Sequence, residues 1–161
     1  MNGDGHSDLL LSCWLDTKVG ILPGHGDATF GAVASLTTSG GATKAKPADL
    51  NGDGRLDVVY GLVGSFPFIP GKIVKRIANG SGGFGAEQLV GNVSLPSDVA
   101  VGDLNGDAIP DIVASATVPT GIVVFLGLGM GRSARRRPSP ISPRGAASRS
   151  ATSTMTEPST R

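Results

Sequence analysis

One short acidic element, met three times, constrains this chain more than anything else in it. Asp49-Leu50-Asn51-Gly52-Asp53-Gly54-Arg55-Leu56-Asp57 recurs as Asp103-Leu104-Asn105-Gly106-Asp107-Ala108-Ile109-Pro110-Asp111, and Asn2-Gly3-Asp4-Gly5-His6-Ser7-Asp8 is the same element without its first residue. Oxygen-bearing side chains occupy positions 1, 3, 5 and 9, with glycine at position 4 and glycine or alanine at position 6. A lone Asn-Gly or Asp-Gly marks a tight turn. A turn has no use for acids at positions 1, 5 and 9, and carboxylates crowded into one loop repel unless a cation sits among them. All-oxygen donors in a short loop suit a hard divalent ion, and Ca²⁺ is the implied cofactor.

The residues after each element say what kind of loop it is. An EF-hand needs a carboxylate at position 12 and flanking helices, but position 12 is Leu11, Tyr60 or Ala114. The following runs are Leu9-Leu10-Leu11, Val58-Val59-Tyr60 and Ile112-Val113-Ala114. Short apolar runs bounded by Gly and Pro read as buried strands, which excludes the EF-hand and the helical dockerin-type repeats. A second landmark, Phe30-Gly31-Ala32, returns as Phe84-Gly85-Ala86, each after a Gly-rich turn. Phe30 precedes Asn51 by 21 residues, and Phe84 precedes Asn105 by the same 21. The loops are 49 and 54 residues apart, so the extra five residues belong between Asn51 and Phe84, around 64–70. Within a period, strands are predicted near 44–48, 57–62, 72–77 and 86–90. Four short strands in about 40–50 residues describe a propeller blade. The expected fold is all-β, a β-propeller fragment of two to three four-stranded blades.

These residues resemble the FG-GAP or VCBS repeats, the units of integrin α-chain β-propellers and of many bacterial surface proteins. The Asp-x-Asn-x-Asp-Gly-x-x-Asp loop with its apolar strand and the Gly-rich turn into Phe-Gly carry the resemblance, over residues 1 to about 131. It implies one Ca²⁺ per blade in the loop between two strands. By position the side-chain ligands are Asn2, Asp4 and Asp8; Asp49, Asn51, Asp53 and Asp57; and Asp103, Asn105, Asp107 and Asp111. His6, Arg55 and Ile109 stand where the family offers backbone carbonyls. Met1 occupies position 2 of the first loop, and Ala108 replaces a glycine in the third. An alanine costs energy wherever the backbone must be left-handed, so the middle loop is expected to bind best.

Charge divides the chain. Through Gly131 there are seven Lys or Arg against twelve acids, eight of them in the three loops. From Arg132 onward there are seven Arg against one Glu, among Ser, Pro, Thr and Ala. The domain reading is therefore 1–131 for the repeats and 132–161 for a tail too poor in apolar residues to offset its chain entropy. The tail also admits a frame reading. Codons spanning neighbouring residues can restore Phe and Gly across Arg132-Ser133-Ala134, and Met155-Thr156 must read Asp. The surrounding spans allow the acidic loop again, its Asn across Ser153-Thr154, about 21 residues after the recovered Phe. A fourth repeat shifted out of frame near Gly131 is the preferred reading, ahead of a native flexible tail. A nucleic-acid arm is disfavoured, because no aromatic is interleaved among the arginines. Met1 lies inside a loop, which reads as an internal start within a longer gene whose remaining blades lie elsewhere.

Cys13, the single cysteine, is expected as a small buried hydrophobe, and Trp14 and Tyr60 as blade packing. Lys72, Lys75 and Arg76 read as a solvated strand face, and His6 and His25 as loop residues. No nucleophile elbow, zinc-type His pair or phosphate loop is present, so no enzymatic activity is expected. Nor is membrane insertion or nucleic-acid binding. The expected function is a calcium-binding propeller segment, extracellular or at the cell surface, that offers loops to a protein or glycan in adhesion. The alternatives are an accessory domain of a secreted enzyme, such as a polysaccharide-degrading one, and a reading frame without a functional product.

Overall fold

A computed structural model describes residues 1–64, 70–117 and 120–135. These residues form eleven strands: β1 Leu9–Cys13, β2 Lys18–Leu22, β3 Ala34–Thr37, β4 Ala42–Ala48, β5 Asp57–Leu62, β6 Lys72–Arg76, β7 Gln88–Asn92, β8 Pro96–Gly102, β9 Asp111–Thr117, β10 Thr120–Gly127 and β11 Ser133–Arg135. There is no helix among the described residues. The strands make three antiparallel sheets, ordered β1-β2-β3, β4-β5-β6-β7 and β8-β9-β10-β11. The fold is all-β, as expected, and each sheet is a simple meander. The first sheet has three strands because nothing in it corresponds to β4 or β8, the strands that precede the acidic loop in the other two.

The strands predicted near 44–48 and 57–62 form as β4 and β5, β4 starting two residues early at Ala42. The fourth strand starts at Gln88 rather than 86, because Phe84 is first bridged back to Ala78 and Gly85 donates to the Ile77 carbonyl at 2.8 Å. β4 carries Pro47 and β8 carries Pro96. Both are edge strands, where a missing N–H costs no ladder bond.

Side chains alternate across each strand, and the middle sheet is covered on both faces. Val58, Tyr60 and Val74 pack toward the first sheet, with Val19, Ala42 and the partly buried Leu10 and Leu36. Val59 and Ile73 pack toward the third sheet, with Ile112, Ala114, Val123 and Phe125. All six residues of β5 are buried, as a strand enclosed on both faces must be. Gly91 in β7 lies directly beneath the Phe125 ring, where any Cβ would collide with it.

The domain boundary expected at Gly131 falls inside the third sheet. Ser133–Arg135 pair with β10 in the register Phe125↔Arg135, Leu126↔Ala134 and Gly127↔Ser133. Strand pairing therefore runs past the expected start of the tail. Residues 136–161, which hold most of that tail, and 65–69, which hold most of the expected insertion, lie outside the described residues.

Candidate metal loops

Two acidic loops join the first two strands of their sheets, 49–56 between β4 and β5 and 103–110 between β8 and β9. The segment 2–8 leads into β1. The structure gathers the predicted residues of each loop locally, on one shared pattern of Asx turns. The position 3 Asn accepts from the position 5 amide at 3.2, 3.1 and 3.1 Å in the three loops. Its amide nitrogen donates to the position 5 carboxylate at 2.7, 3.1 and 2.8 Å. The position 5 Asp then accepts the position 7 amide, from His6, Arg55 and Ile109, at 2.8, 2.9 and 2.8 Å. Asp49 closes the second loop by accepting the amides of Gly52 at 2.7 Å and Gly54 at 2.8 Å. Asp103 does the same with Gly106 at 2.7 Å and Ala108 at 2.8 Å.

Position 9 behaves differently. Asp57 and Asp111 are fully buried, at 0% exposure. Each bridges two backbone amides that belong to different parts of its sheet. Asp57 accepts from Leu50 at 3.0 Å and Ala78 at 2.8 Å; Asp111 accepts from Leu104 at 2.9 Å and Gly127 at 2.7 Å. Asp8 takes Gly24 at 2.9 Å and pairs with the Met1 ammonium, which stands where Leu50 and Leu104 present an amide. Gly24 and Ala78 are the residues bridged to Phe30 and Phe84. In the first two sheets the last acid of the element thus ties its own loop to the Phe-Gly turn of the same sheet. Sequence spacing displays both landmarks but not this bond between them.

The electrostatics follow from these contacts. The Gly54 amide first, then those of Gly52, Asn51 and Asp53, hold the Asp49 carboxyl below its ordinary value, although desolvation pulls the other way. The Ala108 amide leads the same effect at Asp103, and the His6 amide at Asp4. Asp57 moves upward, because burial disfavours its charge and the like charges of Asp53 and Asp49 stand close by. That repulsion is what a cation would relieve, and the donor set is wholly oxygen, so the chemistry of the residues fits a hard divalent ion. Among the described residues, however, no group of three or more His, Cys, Asp or Glu side chains is placed to hold a metal ion. The loop carboxylates rest on backbone amides instead.

Other residues depart from expectation. Lys75 is not on a solvated face: it is 4% exposed, its ammonium donates to the Gly131 carbonyl of the third sheet, and burial pushes its pKa down. Arg76 is half-buried and reaches the Thr37 carbonyl of the first sheet at 2.5 Å. It also donates to the Tyr60 hydroxyl at 3.1 Å. Glu87 joins this group, accepting from Tyr60 at 2.9 Å and from the Ser39 hydroxyl and amide at 2.6 and 3.0 Å. Burial pushes the Tyr60 hydroxyl up to about 12. Ser39 and Glu87 are 48 residues apart, and no local pattern announces their meeting. Tyr60 packs in the core as expected, and Cys13 is only half-buried. Trp14 is 65% exposed and lines a groove of about 440 Å³ with Thr43, Lys44, Ser97 and Thr117, rather than packing between sheets. A cleft of about 420 Å³ lies between the first two acidic loops, lined by Asn2, His6, Arg55 and Phe84 among others.

Residues 1–60 match the FG-GAP-like repeat. That span takes in the first two acidic loops and the first Phe-Gly landmark. No curated protein matches the chain, and no solved structure does.

Proposed function

We propose, with residues 1–60 carrying an FG-GAP-like repeat, that this β-propeller-type chain is a calcium-stabilised binding module. It works outside the cell or at its surface and has no catalytic role of its own. The observation that carries the reading is the threefold recurrence of one oxygen skeleton, down to equivalent hydrogen bonds, in loops whose position 7 side chains are as different as His6, Arg55 and Ile109. In the middle loop Asp49, Asn51, Asp53 and Asp57 would hold the ion, with the Arg55 carbonyl. Asp103, Asn105, Asp107, Asp111 and the Ile109 carbonyl would serve the third loop, and Asn2, Asp4, Asp8 and the His6 carbonyl the first. Bound Ca²⁺ supplies positive charge where like-charged carboxylates meet, and it stabilises the fold because it binds only the folded loop. Exposed loops of this kind suit the millimolar calcium of extracellular modules. The partner is a protein or a glycan, met through the loops and clefts at the sheet ends.

Equilibrium dialysis with Ca²⁺, paired with thermal melts in calcium and in EDTA, tests the reading. One loop at tenfold excess over its Kd contributes about 1.4 kcal/mol, which raises Tm by a few degrees. Asp53→Ala is expected to lower both the uptake and the calcium-dependent rise. No uptake, with superimposable melts, removes calcium from the account.

A further inference from the structure

Among the described residues the two outer sheets leave apolar faces open, and the register shows what each face corresponds to. On β1, Leu9 and Leu11 stand 40% and 43% exposed. They share their face with Gly20, paired to Leu11, and with Val33, whose Cγ1 lies 3.4 Å from where a Gly20 Cβ would be. Each sequence position on this face has a counterpart in the middle sheet. Leu9, the first residue after the acidic loop's last Asp, corresponds to Val58, and Leu11 to Tyr60. Gly20, paired to Leu11, corresponds to Val74, paired to Tyr60. Val58, Tyr60 and Val74 are the face that receives the first sheet.

The third sheet shows the opposite half. Val113 corresponds to Val59, and Ile122 and Val124 to Ile73 and Lys75, by the same pairing logic. Val59 and Ile73 are the face that packs onto the third sheet. On the third sheet itself the equivalent positions meet nothing among the described residues that buries them: Ile122 is 36% exposed and Val113 and Val124 are half-buried. The described residues therefore build one sheet-to-sheet interface twice, and among them one half of that interface stays unused on each outer sheet. A contact of one patch on a different patch is heterologous, and it closes into a ring when the rotation permits.

We propose that copies of this chain associate head to tail. The third sheet's Val113, Ile122 and Val124 face packs on the Leu9, Leu11 and Gly20 face of another copy, repeating the interface found inside each chain. Two copies bring six sheets together, within the range of about four to eight at which propellers close, so a closed dimer is the expected species. The contact extends an interface the chain already uses, and apolar faces left in water favour its formation.

Sedimentation velocity on the full chain, in calcium and in EDTA, tests this independently of the metal reading. The expected mass is twice the 16.2 kDa of one chain. Leu11→Glu disables one face and Val124→Glu the other, so each variant alone is expected to sediment as a monomer. An equimolar mixture retains one intact pair of faces and is expected to recover the dimer at higher concentration. Far-UV circular dichroism matching the parent shows that the sheets persist. Should either Glu variant unfold, Leu11→Ser and Val124→Ser carry the same mixing experiment. A parent chain monomeric throughout a dilution series overturns the proposal. So do single variants that associate as the parent does, since that means a like-to-like or unspecific contact, and so does a mixture that stays monomeric.

Discussion

Ala108 adopts φ 62°, where the equivalent residues Gly5 and Gly54 stand at 84° and 81°. The third loop therefore keeps the shape of the other two against the preference of its own residue, held by the Ala108 amide on Asp103. An L-residue in this region costs about 1–2 kcal/mol, partly offset by the greater freedom of glycine in the unfolded chain. Ala108→Gly is expected to stabilise by about 0.5–1 kcal/mol, read as a small rise in Tm in EDTA. An unchanged or lower Tm would mean the loop stores no strain there. At this scale the sequence was informative about identity and silent about partners. The oxygen positions of all three loops could be read from residue type and spacing alone. That Asp57 and Asp111 would be buried, each bridging two amides, could not, because one of the two amides lies 21 or 16 residues away, at or just past the far end of the next strand.

Between elements, polar ties fasten the rims of the packed sheets. The first and second sheets share Glu87, Tyr60 and Arg76 with Thr37 and Ser39, and the second and third share Lys75 with Gly131. Burial alone would raise the Glu87 carboxyl. Hydrogen bonds from the Ser39 hydroxyl and amide and from Tyr60, with the charge of Arg76, outweigh it and hold Glu87 below its ordinary value of 4.5. A carboxyl depressed in the folded state contributes stability above its unfolded pKa, and that contribution fades as pH falls through the folded one. The Tm advantage of the parent over Glu87→Gln should therefore be full near neutrality and shrink on acidification from about pH 5 downward. Melts of both proteins across that range check it, and a pH-independent difference refutes the tie. Charge patterning suggested the opposite for this strand, a solvated face, because a run such as Lys72–Arg76 carries no mark of the neighbour that covers it.

At the largest scale the described residues repeat one meander three times, the first short of its leading strand, stacked through two apolar interfaces. Gly91 shows how closely they approach: the Phe125 ring of the next sheet occupies the space a Cβ would need. Gly91→Ala forces that ring or the strand to move and is expected to destabilise by about 1–3 kcal/mol, measured by urea unfolding. A neutral result would show slack between the sheets. The chain by itself determined the repeating unit, the all-β character, the Phe-Gly landmarks and the oxygen sets of the loops. Each of these is written in residue types a few positions apart, where turn chemistry and period-two alternation act. Only the tertiary structure decided which face of each sheet is covered, that Lys75 is buried while Trp14 is exposed, and that strand pairing continues to Arg135. Those outcomes depend on which sheet lies against which, and the energy that settles them comes from surfaces brought together across many residues of intervening chain.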